Sequence, residues 1–295
     1  MELALGLTAL RQFSLGAVSE ATVYRTAAAV AAKAPGASLP EGEAAKGEEE
    51  CEEGADAEAP AEPAAEAAAP APAGTAEEAS GEVVSELYTW GRAKNYQLGF
   101  AASGEEQLVP RLVPMPKGVS VRSLSCGQFH SVAVTTCGSL FCWGFSGATG
   151  RLGLDSADGS APASCIEPSR LPDFGHGRHV AVKAAAGLNH SLALTSAGAV
   201  LSWGSNMHGQ LGLQGVKTGE SAGAQRPQLV KGPLKGEVVV DIAAGLGHSL
   251  CCTEAGAAFS WGSNERGALG LGAPPAVPAQ AASPQRLPLL KGIWA

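Results

Sequence analysis

The chain has 295 residues, 45% of them hydrophobic, and 39 glycines, nearly twice the roughly 7% usual in proteins. Without a Gly-X-Y period, so much glycine excludes collagen and points to many tight turns, and no apolar run reaches the ~18 residues of a membrane-spanning helix. The net charge of −8 is unevenly held: residues 41–86 carry 15 acidic groups against Lys46 alone, while residues 87–295 carry 16 basic groups against 11 acidic ones.

At the front, Leu3, Leu7, Leu10, Phe13 and Val18 fall at helical spacing. Residues 1–35 therefore read as a helix. The alternative is a targeting segment, because Arg11, Arg25 and Lys33 outnumber Glu2 and Glu20. Residues 36–86 are dominated by Ala, Pro, Glu and Gly. Too little apolar surface exists there to offset an ordering cost of roughly 1–2 kcal/mol per residue, so the segment reads as a disordered acidic tether. Seven cysteines at irregular spacings, with no Cys-x-x-Cys, fit a reducing compartment. The cytoplasm is the expected location, with nuclear or organellar placement through residues 1–35 as alternatives.

From Leu87 onward the chain repeats. Tyr88-Thr89-Trp90-Gly91 precedes Gln97-Leu98-Gly99, and Phe141-Cys142-Trp143-Gly144 precedes Arg151-Leu152-Gly153. Leu201-Ser202-Trp203-Gly204 precedes Gln210-Leu211-Gly212, and Phe259-Ser260-Trp261-Gly262 precedes Ala268-Leu269-Gly270. The tryptophans are 53, 60 and 58 residues apart. A second marker keeps the same beat: Gly127-Gln128-Phe129-His130-Ser131, Gly187-Leu188-Asn189-His190-Ser191 and Gly245-Leu246-Gly247-His248-Ser249. Ser191–Thr195 and Ala199–Trp203, joined across Gly198, read as strand, tight turn, strand. Units of this length built from short strands indicate a propeller or solenoid, and the indoles are placed to fill wedges between sheets.

Trp203-Gly204-Ser205-Asn206-Met207-His208-Gly209-Gln210-Leu211-Gly212 resembles the Trp-Gly-x-Asn-x-x-Gly-Gln-Leu-Gly signature of the regulator of chromosome condensation repeat proteins. The later Gly-x-x-His-Ser resembles that family's second marker. The resemblance implies an all-β propeller with one four-stranded blade per repeat, usually seven blades. Residues 87–295 hold about 3.7 units, starting near 87, 140, 200 and 258, and the fourth stops before its Gly-x-x-His-Ser. Residues 68–84 offer no counterpart to Ser191–Thr195. The expectation is a partial propeller, a fragment of a longer product, with an open arc completed by another chain as the alternative.

Trp90, Gly91, Trp143, Gly144, Trp203, Gly204, Trp261 and Gly262, with His130, His190 and His248, are read as structural repeat positions. Symmetry puts the histidines on separate blades, where hydrogen bonding to backbone is the expected role; zinc would need convergent ligands. Arg92, Lys94, Arg151 and Arg266 follow the Trp-Gly pairs and read as a solvated face, with a basic rim as the alternative. No nucleophile, metal or phosphate-loop motif occurs, so no catalytic residue, metal or cofactor is assigned and no enzymatic activity is expected. Mild basic charge over 87–295 and an acidic tether disfavour nucleic acid. A protein partner is expected, met by loops 155–167 and 214–225, which differ most between units. The resemblance adds two alternatives: nucleotide exchange on a small GTPase, and a chromatin-associated role.

Overall fold

The structure is a computed structural model that describes residues 10–15, 26–32, 85–154, 162–175, 178–272 and 278–288, with residues 10–15 and 26–32 given as backbone. The chain divides into two compact units, Met1–Lys33 with Val83–Ala295 and Ala34–Glu82, and every described residue belongs to the first.

The described residues form four four-stranded antiparallel sheets, the blades of a β-propeller. The first comprises β1 (Leu10–Leu15), β2 (Thr26–Ala32), β3 (Ser85–Arg92) and β4 (Glu106–Leu112). The second comprises β5 (Val121–Cys126), β6 (His130–Thr135), β7 (Leu140–Phe145) and β8 (Ser164–Arg170). β9 (Ala181–Ala186), β10 (His190–Thr195), β11 (Val200–Ser205) and β12 (Gly223–Leu229) form the third. β13 (Val239–Ala244), β14 (His248–Thr253), β15 (Ala258–Ser263) and β16 (Gln280–Arg286) form the fourth.

The repeat in the sequence and the blade in space are out of step. The stretch from Trp90 to the next tryptophan supplies β4 to one blade and then β5 and β6 to the next. Each sequence unit therefore ties two neighbouring sheets together covalently. The same offset leaves β3 and β4 without inner strands from their own unit, and here the structure departs from the sequence expectation. Residues 10–15 and 26–32 are strands and not a helix; β2 pairs with β3 from upstream and β1 pairs with β2. An unpaired β3 edge would leave a row of backbone donors and acceptors unsatisfied. β2 takes the register of its sister strands: Ala27 pairs with Trp90 as Ser131 pairs with Trp143 and Ser191 with Trp203. The expected tether lies outside the described residues, save Ser85 and Glu86, which open β3.

The central strands are built alike. β6 and β10 are buried at every position, as expected for strands covered on both faces. The turn after each strand is fixed by threonine: Thr135 Oγ1 accepts from Ser139 N at 2.9 Å and Thr195 Oγ1 from Ala199 N at 3.1 Å. The apolar cores lie between sheets, not within them. One joins Leu87, Leu98 and Val113 to Leu124, Phe141 and Trp143; the next joins Val132, Leu140 and Leu152 to Ala184, Leu201 and Trp203. The third joins Leu192, Val200 and Leu211 to Ile242, Phe259 and Trp261.

Candidate interaction surface

Three tryptophans sit in the wedges between blades with no exposed surface: Trp143, Trp203 and Trp261. Each indole donates to a main-chain carbonyl of the preceding unit. Trp143 Nε1 donates to Gln97 O at 3.0 Å, Trp203 Nε1 to Arg151 O at 3.0 Å and Trp261 Nε1 to Gln210 O at 2.8 Å. The acceptor is always the residue before Leu-Gly. Close approach of the indole is why glycine ends that triplet: a Cβ on Gly153 would stand 2.8 Å from Trp203 Nε1. Glycine after each tryptophan has a different reason. Gly204 has φ +99°, and a Cβ there would stand 2.6 Å from Asn189 O.

The same carbonyls accept a second bond, from the serine of Gly-x-x-His-Ser. Ser131 Oγ donates to Gln97 O at 2.9 Å, Ser191 Oγ to Arg151 O at 3.0 Å and Ser249 Oγ to Gln210 O at 2.7 Å. Each of the last two serines also meets the histidine of the preceding blade, Ser191 with His130 Nε2 at 2.7 Å and Ser249 with His190 Nε2 at 2.9 Å. A serine hydroxyl has one proton, and here it goes to the carbonyl. His130 and His190 must therefore donate from Nε2, which leaves Nδ1 bare. Neither Nδ1 has a partner among the described residues. Burial, reinforced by Arg151 and His190, pushes His130 down to about 3; burial, reinforced by His248, pushes His190 down to about 3. Both are neutral donors at physiological pH.

The expectation of backbone partners for His130 and His190 is thus replaced by a relay of histidine to serine to carbonyl that crosses the junctions between blades two and three and between blades three and four. Among the described residues no cluster of His, Cys, Asp or Glu is disposed to hold a metal. Arg151 also departs from expectation. It is buried and not part of a rim, its guanidinium lying over Phe129 at 4.9 Å and Phe145 at 5.3 Å while Nε donates to Ser146 O. Lys94 is exposed and paired with Glu105 at 3.3 Å.

Two further residue classes matter that sequence reasoning passed over. The residue before tryptophan bonds its own unit's leucine: Thr89 Oγ1 to Leu98 O at 2.6 Å, Ser202 Oγ to Leu211 O and Ser260 Oγ to Leu269 O at 2.7 Å. Thr, Ser and Ser at one repeat position were the available signal. Asn206 and Asn264 are buried pins. Asn206 Oδ1 accepts from Leu211 N at 3.1 Å, while its Nδ2 donates to Lys217 O at 2.9 Å.

That pin bears on the surface. Of loop 214–225, residues 214–222 lead out from Leu213 with Gln214, Lys217, Thr218, Glu220 and Ser221 exposed, and residues 223–225 belong to β12. The loop is held at its base and offered to solvent. Residues 155–161 of the other candidate loop lie outside the described residues, while 164–167 belong to β8. Beside Asn206 a cleft of about 450 Å³ opens between blades three and four, with Met207, Leu246, His208, His248, Glu265 and Arg266 among its walls. Among the described residues no helix is long and apolar enough to cross a membrane.

The pattern of the Regulator of chromosome condensation (RCC1) repeat matches residues 85–134, 137–194, 197–252 and 255–294. The human E3 ubiquitin-protein ligase HERC2 is 36% identical over 203 residues, 68% of this chain and 4% of that protein. Among solved structures, human WBSCR16 is 30% identical with a TM-score of 0.57 over 68% of this chain and 49% of that one. Prp20p from Saccharomyces cerevisiae, described with its binding properties to Gsp1p and histones, is 25% identical with a TM-score of 0.55, over 68% of this chain and 46% of that one. The chain thus spans less than half the length of each.

Proposed function

The chain belongs to the regulator of chromosome condensation (RCC1) repeat family, and from that premise we propose that it is a non-enzymatic interaction module whose blades hold variable loops toward a protein partner. The observation that carries this reading is the division of roles within each unit. Trp, Gly, His, Ser and the x-Leu-Gly carbonyl are consumed in joining blades. The loop at 214–222, tethered by Asn206, keeps its polar side chains in solvent. A fold that spends its buried polar groups on its own junctions has its exposed loops left for recognition. The test is a photo-crosslinking residue placed at Lys217 in cells, with one at Arg122 on β5 as the control position. A discrete protein adduct from 217 and none from 122 supports the reading; equal or absent adducts overturn it.

A second reading is regulation of a small GTPase by favouring its nucleotide-free state, which requires no nucleophile. The likeness to Prp20p, described with its binding to Gsp1p, favours it. Release of a fluorescent guanine nucleotide from Gsp1p and a panel of small GTPases, with and without the chain, tests it. Acceleration on one member supports exchange; release unchanged across the panel removes this reading.

A further inference from the structure

Unit two departs from its sister units at one turn, and the departure exchanges acceptors for donors. Gln97 and Gln210, the residues before Leu-Gly, turn their side chains back on their own loops: Gln97 Oε1 accepts from Asn95 N and Gln210 Oε1 from His208 N, both at 2.8 Å. Asn206 and Asn264, which follow the Trp-Gly-Ser triplets, also accept, from Leu211 N at 3.1 Å and Leu269 N at 3.2 Å. In unit two these places hold Arg151 and Ser146. A guanidinium is all donor and has no acceptor. Arg151 therefore cannot serve Thr149 N as Gln210 serves His208 N, and Ser146 Oγ does not serve Leu152 N as Asn206 serves Leu211 N.

The donors that stand there instead are buried and unmet. Arg151 is 8% exposed and Ser146 0%, and neither Arg151 Nη1 nor Ser146 Oγ has a partner among the described residues. One turn holds both: Ser146 O accepts from Arg151 Nε at 3.0 Å and from Arg151 N at 3.1 Å. A Cβ on Gly147 would stand 2.7 Å from Arg151 Nη2, so glycine there lets the guanidinium fold beneath the turn. The rings of Phe129 and Phe145 lie against it and offset part of the cost of burying a charge. No carboxylate offsets the rest, because none of the ion pairs among the described residues includes Arg151. Burial alone lowers its guanidinium to about 10. The turn is close to solvent, with Ala148 and Phe145 exposed.

We propose that Arg151 Nη1 and Ser146 Oγ form a binding site for one small oxyanion of the phosphate or carboxylate class. Such an anion brings acceptors to a turn with surplus donors and a counter-charge to a buried cation. Its binding bears on the blade junction, since Arg151 O holds both Ser191 and Trp203. The inference does not rest on the partner-binding reading and is tested on the chain alone.

The full chain is titrated at constant ionic strength with inorganic phosphate and, separately, with acetate as the probe for a protein carboxylate. The indole N–H of Trp203, which bonds Arg151 O, is followed by NMR beside that of Trp261, which bonds Gln210 O. A saturable shift, larger at Trp203 than at Trp261, is expected, and the tighter of the two anions names the source. Arg151→Gln installs the residue that units one and three carry and so keeps the turn; it should weaken binding about tenfold or more. Ser146→Ala, which leaves the arginine packed, should weaken it about threefold. No saturable shift with either anion would show that the two phenylalanine rings alone satisfy the arginine, and overturns the proposal. So does an Arg151→Gln chain that binds as the parent does. An Asp155→Asn, Asp158→Asn double variant that binds about tenfold tighter also overturns it, by making the chain's own carboxylate the counter-ion.

Discussion

Acidification should loosen the blade junctions well before it affects ordinary carboxylates. His130 and His190 titrate at about 3 in the folded chain because burial opposes their charged forms, against about 6.5 when unfolded. As pH falls through 6.5 the unfolded chain takes up protons that the folded chain refuses, so stability declines until about pH 3, where the folded imidazoles also charge. From pH 7 to pH 5 each histidine costs the fold about 2 kcal/mol, about 4 kcal/mol for the pair. His248, half-buried and lowered by burial, moves the balance the same way. Set against a typical 5–15 kcal/mol of total stability, the loss is large. Urea unfolding at pH 7, 6 and 5 measures it: with a slope of about 2 kcal/mol per molar, the midpoint should drop by roughly 2 M. His190→Gln should remove close to half of that drop. A midpoint that moves by less than about a quarter of this, or C2 protons of His130 and His190 titrating near 6.5, would refute the assignment of buried neutral donors.

Other perturbations probe the same junctions separately. Ser191→Ala leaves His130 Nε2 without its acceptor and should cost about 1–3 kcal/mol by urea unfolding; a change under about 0.5 kcal/mol would show that the relay carries no stability. Trp203→Ala empties the wedge between blades two and three and should cost about 3–5 kcal/mol, read as a lower melting temperature. Asn206→Ala should raise amide exchange across 214–222 while leaving β10 protected; uniform exchange along both would deny the pin its local role. Cys137 is exposed, and hydroxyls of Ser139 and Thr135 hold its thiol down to about 7, while burial pushes Cys126 up to about 11 and Cys251 up to about 12. Iodoacetamide at pH 7.5 should therefore label Cys137 ahead of Cys126 and Cys251, and mass spectrometry finding either of them ahead of it would contradict this.

The tryptophans and glycines are legible in the sequence because they are geometric necessities. An indole that must reach Arg151 O and a glycine that must sit at φ +99° admit few substitutes, so both recur at fixed spacing. The partners of the histidines were not legible, because Ser191 lies 61 residues from His130 and nothing local encodes the pairing. Upstream strands were hidden for another reason. Thr26–Ala32 holds the β6 register without a His-Ser marker, and 52 residues separate it from the β3 strand it pairs with. Arg151 was misread because its repeat position looks polar, although what that position contributes to the junction is its carbonyl.

That last point reaches past this one arginine. The acceptor at each junction belongs to the peptide, so whichever amino acid stands there leaves the joint intact, and the four units indeed carry Gln97, Arg151, Gln210 and Ala268. Mechanical duty is discharged by the backbone, which releases the side group to vary. A mutagenesis library confined to these four sites asks whether the peptide alone sustains each joint, since Gln97, Arg151 and Gln210 are buried there.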